Sequence, residues 1–106
     1  MTEQDQEVRV LATARLRPDT QADFTTVAAT FVVASRQEEG CIAYDMLASV
    51  TDPCALATIE RWTSREAAIA HLGAPHTQAF LAALAMASDG SPPSITLLSG
   101  RAETLA

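Results

Sequence analysis

The chain has no lysine. All seven basic residues are arginine, set against thirteen acids for a formal net charge of −6. No run of arginines builds the dense positive surface that phosphate backbones require, which argues against nucleic acid as a partner. No apolar run approaches the length of a bilayer span, and the polar start Met1-Thr2-Glu3-Gln4-Asp5-Gln6-Glu7 is no signal peptide. The expectation is a cytoplasmic protein with no membrane partner. Cysteine is scarce too. Cys41 and Cys54 bracket an expected strand, roughly 25–30 Å apart at ~3.3 Å per residue. A disulfide needs Cα atoms within about 7 Å, so two free thiols and a reducing compartment are expected. Charged residues make up only 19% and hydrophobic ones 48% of 106 residues. That is apolar for a domain that must show most of its residues to water, and an oligomer interface is the simplest remedy. One domain over 1–106 is expected, with an N-terminal arm (1–7) and a C-terminal tail (100–106).

The most informative stretch is Ala57-Thr58-Ile59-Glu60-Arg61-Trp62-Thr63-Ser64, followed by Arg65-Glu66-Ala67-Ala68-Ile69-Ala70-His71-Leu72. The first half alternates as a half-buried strand does, with Thr58, Glu60 and Trp62 on one face and Ala57, Ile59 and Arg61 on the other. After Ser64, an N-cap residue, the spacing becomes helical. A carboxylate and the only indole therefore share a strand face, and a helix carrying an imidazole follows. Folded back over the strand, that helix brings Glu60, Trp62 and His71 to one pocket.

The rest of the chain supplies the frame. Val8 to Leu16 alternates as a strand. Thr20 and Asp23 resemble a capping box, opening a helix to about Glu38 with Phe24, Val27, Ala28, Phe31, Ala34 and Ser35 inward. Val32 and Val33 widen that stripe, so cover on more than one side is expected. Gly40 suits a left-handed cap. Cys41 to Val50 is a second strand, Thr51 to Cys54 its turn, and Ala55 to Thr63 a third strand. Pro75 interrupts the second helix, which resumes at His76 and runs to about Ser88 with Phe80, Leu81, Leu84 and Ala85 inward. Ser94 to Ser99 is the last strand. The order βαββαβ with right-handed crossovers predicts an α+β, ferredoxin-like fold: a four-stranded antiparallel sheet with both helices on one face. The other face is left bare. Packing two such faces together gives a dimeric α/β barrel, so a homodimer is expected.

The segments Arg36-Gln37-Glu38-Glu39-Gly40-Cys41-Ile42-Ala43-Tyr44, Ile59-Glu60-Arg61-Trp62, Ala67-Ala68-Ile69-Ala70-His71 and Ala74-Pro75-His76 resemble the antibiotic biosynthesis monooxygenase superfamily, including its quinol monooxygenase-like members. The resemblance runs from about Val8 to Leu98. It implies a dimeric α+β barrel with one pocket per subunit, and an activity that needs no metal or flavin. Some relatives instead bind and degrade haem, and one isomerises a phosphorylated signalling molecule. The chain departs from the pattern in three ways. Arg61 stands where an apolar residue is common, and is expected to pair with an acid across the dimer. There is no asparagine, so a pocket amide is missing or replaced. The lack of lysine disfavours a lysine-dependent isomerase.

Cofactor-free oxygenation requires a substrate, such as a hydroquinone or anthrone, that passes an electron to molecular oxygen once deprotonated. His71 is the natural base. Glu60 fixes its tautomer or serves as base itself, and Trp62 is a flat wall with one N–H. Each has a plainer reading: Trp62 as core filler, Glu60 bridged to Arg15 or Arg36, His71 grazing the surface, His76 as a helix-start residue. Tyr44 joins the pocket only if the turn register differs by one residue from Thr51–Cys54. Arg36 meets a substrate carboxylate or phenolate, or caps its own helix. The functions in view are a cofactor-independent monooxygenase acting on quinol-like or polyketide-type aromatics, a haem-binding or haem-degrading relative, and a non-catalytic small-molecule-binding dimer.

Overall fold

Alternation along the first strand, β1 (Val8–Arg15), turns Val8, Val10, Ala12 and Ala14 to one face of the sheet and Arg9, Leu11, Thr13 and Arg15 to the other. A computed structural model describes residues 6–106. It continues with helix α1 (Gln21–Arg36), β2 (Cys41–Ser49), β3 (Asp52–Trp62), α2 (Arg65–Gly73), α3 (Pro75–Ala87) and β4 (Ser94–Leu98). The strands lie in the order β2-β3-β1-β4, each pair antiparallel. This is the expected α+β, ferredoxin-like arrangement, with the second helical arm in two pieces. Most of the expected arm, residues 1–5, lies outside the described residues. Glu7 is anchored by Arg61, with Nε–Oε2 and Nη2–Oε1 both 2.9 Å. That hydrogen-bonded pair holds the Glu7 carboxyl below its ordinary range. Arg61 thus finds its acid within its own chain.

Three local readings are corrected. Thr20 does not cap α1, because Pro18–Thr20 forms a 3-10 turn and the Thr20 hydroxyl donates to the carbonyls of Arg17 and Ala87 instead. The helix stops at Arg36, so Glu38 leaves it and belongs to the turn that Gly40 closes at φ +88°. The hairpin between β2 and β3 turns at Val50-Thr51, with Ser49 facing Asp52 and a bulge beside it. Pro53 forces Asp52 toward extended backbone, and Asp52 Oδ1 accepts from Cys54 N at 3.0 Å, so the expected turn residues begin the strand. That register sets Tyr44 directly opposite Glu60.

The core lies between the helices and the inner face of the sheet. Val8, Val10, Phe31, Tyr44, Trp62 and Ala68 form one buried cluster, and Leu16, Phe24, Cys54, Leu84 and Ala87 a second. Val27 and Val33 are exposed, so α1 is covered on one side only. On α3 Ala85 faces solvent and Ala87 is buried in its stead. Ser64 caps α2 by accepting from Ala67 N at 3.1 Å. Pro75 starts α3, where its missing N–H costs nothing. Cys41 and Cys54 are free. The outer face leaves Leu11, Leu47, Ile59 and Leu98 between 43% and 52% exposed. The tail from Gly100 to Ala106 forms no helix or strand. No helix among the described residues is long and apolar enough to cross a membrane.

Candidate active site

Between the sheet and the α2–α3 arm lies a cavity of about 270 Å³. Its walls are mostly apolar, and its polar groups include Tyr44, Thr58, Glu60, His71 and Thr77. Apolar walls around a few converging polar groups are the usual composition of a small-molecule site.

The floor comes from β3. Thr58, Glu60 and Trp62 share the inner face and are buried. Glu60 accepts from Thr58 Oγ1 at 2.6 Å and from Trp62 Nε1 at 3.0 Å. Two neutral donors thus hold the carboxylate, and no arginine bridges to it among the described residues. Trp62 is completely buried and does not line the cavity, so the indole orients Glu60 from behind. Tyr44 stands beside Glu60 across the hairpin. Burial, and then the Glu60 charge, push its phenol well above its ordinary pKa. The ring therefore stays a neutral phenol.

The roof carries the imidazole. His71 on α2 is 3% exposed, with ring centroids 4.9 Å from Trp62 and 5.3 Å from Tyr44. Its Nδ1 lies 2.5 Å from Glu38 Oε2, and His76 Nε2 lies 2.8 Å from the same oxygen. With the Glu38 oxygen as acceptor, Nδ1 donates and the lone pair of the neutral ring falls on Nε2. That nitrogen has no hydrogen-bond partner among the described residues, and His71 lines the cavity.

Glu38, not Glu60, therefore orients the imidazole. Periodicity hides this role, because Glu38 continues the helical run before Gly40 and reads as a helix end. The available signal is two acids ahead of a left-handed glycine, of which Glu38 has no basic residue three or four positions before it. His76 joins the cluster as well as starting α3. Arg36 takes a third course: its Nε donates to the Tyr44 carbonyl and its Nη2 to Asp45, each at 2.9 Å, and it does not line this cavity. Glu60, Tyr44 and His71 thus border one hollow, Trp62 supports it, and Arg36 braces β2.

Comparison with known proteins agrees with this architecture. "Uncharacterized protein sll1783" of Synechocystis sp. is 29% identical over 77 residues, covering 73% of this chain and 52% of that protein. The chain thus spans about half the length of this relative. The structure of Rv0793 from Mycobacterium tuberculosis matches with a TM-score of 0.82 and 29% identity, covering 92% of this chain and 97% of that one. SnoaB, a cofactor-independent oxygenase from Streptomyces nogalater, matches with a TM-score of 0.79 and 21% identity, covering 94% and 97%. At that identity the likeness is one of fold. The family model for antibiotic biosynthesis monooxygenase matches residues 7–83, most of the chain, and the protein belongs to that family.

Proposed function

We propose that the protein is a cofactor-independent monooxygenase, of the quinol monooxygenase-like kind, that oxidises quinol-like or polyketide-type aromatics with molecular oxygen. The observation that carries this reading is His71, whose Nδ1 is fixed by Glu38 while Nε2 stays unpaired at an apolar hollow. A base held in one tautomer beside a ring-sized space suits removal of an acidic proton from an aromatic substrate.

With an anthrone, His71 Nε2 takes the proton from the ring carbon, and the delocalised anion gives one electron to oxygen. The resulting radical and superoxide combine to form a carbon–oxygen bond. His71 returns its proton to the peroxide, and the O–O bond breaks as water leaves with the second hydrogen of that carbon. The product is a quinone with one oxygen atom from O2, the other leaving in water. Tyr44, as a neutral donor, orients a substrate oxygen. Glu60, held by Thr58 and Trp62, favours the imidazolium that forms nearby. A hollow of about 270 Å³ argues against the haem reading, which asks for a porphyrin-sized opening. The absence of a salt bridge on Glu60 among the described residues disfavours the purely structural one.

The functional unit in this proposal is a homodimer joined through the exposed outer face, and the free thiols suit the cytoplasm. The decisive experiment is anthrone or dihydroxynaphthalene oxidation, with ¹⁸O₂ labelling for anthrone. One labelled oxygen per anthraquinone is expected, and His71→Ala should slow turnover roughly 100-fold, within the usual reach of a general base. An unchanged rate in that variant removes His71 from the chemistry.

A further inference from the structure

We infer that Glu38, His71 and His76 form a binding site for a divalent first-row transition cation of the zinc type. The site lies where the α1–β2 turn meets the α2–α3 arm. Glu38 Oε2, His71 Nδ1 and His76 Nε2 all lie within 4.8 Å of one another. They come from three separate elements, which fixes their directions independently.

The charge balance points the same way. Glu38 is 17% exposed, and its only ionic partners among the described residues are the two imidazoles. The Glu60 carboxylate likewise has no cationic partner among the described residues. Among the described residues, then, only two imidazoles meet Glu38 and only neutral donors meet Glu60. A cation held by Glu38 and the two rings supplies a full counter-charge at that carboxylate. The second oxygen of Glu38, Oε1, makes no hydrogen bond among the described residues and is available as a further donor.

Geometry permits the exchange. Zinc bonds nitrogen and oxygen at about 2.0–2.2 Å, which sets ligand atoms roughly 3.3 Å apart in a tetrahedron. The two N···O contacts, 2.5 and 2.8 Å, must widen by less than ~1 Å, within the reach of side-chain rotation at Glu38. His76 is 28% exposed and opens the site to solvent. Two imidazoles and one carboxylate suit zinc, copper or nickel, whereas magnesium and calcium prefer oxygen alone. There is a consequence that rests on the proposed reaction: metal on Nδ1 moves the ring proton to Nε2 and silences the base. The cation is then an inhibitor of His71, not a cofactor.

The test is calorimetric titration of Zn²⁺ into the metal-stripped full chain, with thermal unfolding alongside and no substrate present. One equivalent per chain and a rise in Tm are expected, with Mg²⁺ silent. His76→Ala and Glu38→Gln should each weaken binding at least about tenfold, while Cys41→Ser with Cys54→Ser leaves it unchanged. His76 is partly exposed, so its variant retains the fold, as circular dichroism will show. No saturable Zn²⁺ binding, or binding that survives His76→Ala, overturns the inference. Because no turnover is measured, that failure leaves the oxygenase reading standing.

Discussion

Replacing Gly40 by alanine should damage both the fold and the site, through two separable costs. The first is conformational. Gly40 has φ +88°, where a side chain costs about 1–2 kcal/mol. The second is steric. A Cβ there would meet Ala67 Cβ at 2.7 Å and Thr63 Oγ1 at 2.9 Å. Neither is the end of a long flexible chain, so α2 or the turn must move, an overpacking cost of about 1–3 kcal/mol. A combined loss near 3 kcal/mol lowers Tm by roughly 12–24 °C for a domain of this size. Urea denaturation of Gly40→Ala, Ala67→Gly and the double variant isolates the steric part. The double variant should recover at least about 1 kcal/mol relative to additivity, since Ala67→Gly removes the closer of the two contacts but leaves the Thr63 contact and the strained backbone. A loss below about 1 kcal/mol in Gly40→Ala, or strict additivity, would refute the argument.

Two further outcomes are expected. Ser35 is fully buried and its Oγ has no partner, so Ser35→Ala should raise stability by about 1 kcal/mol, read as a shift in the urea midpoint at constant slope. Leu11 pairs with Ile59 on the exposed face of the sheet. Sedimentation should therefore show a dimer at micromolar concentration, and Ile59→Glu should yield monomers; a monomeric parent protein would end the barrel proposal.

Much of the fold is legible because it rests on local rules. The alternation of β1 and β3, the Ser64 cap and the Pro75 break each act over a few residues, and each appears in the structure. Where the reading slips, a contact from elsewhere decides. The carbonyl of Ala87 engages the Thr20 hydroxyl from 67 residues away. The bulge at Ser49 places Tyr44 beside Glu60, and no propensity specifies a bulge. The placing of the candidate site's side chains is partly legible for the same reason: the shared face of Glu60 and Trp62 follows from strand periodicity, and the inward turn of His71 from helical spacing. Glu38 was hidden because its role depends on where α1 stops and on which imidazoles approach, a matter of tertiary packing.

The polar groups at the cavity and the two that meet His71 or its carboxylate partner are drawn from both sides of the Val50-Thr51 hairpin: Glu38 and Tyr44 precede it, while Glu60, His71 and His76 follow. Cutting the polypeptide at that bend would give two fragments, each holding an incomplete set of polar groups. Neither piece can assemble the full set alone, and reassociation is needed to restore it. The same division means that the cavity cannot mature ahead of the sheet: the last donor falls into line only when the first and second portions have found each other.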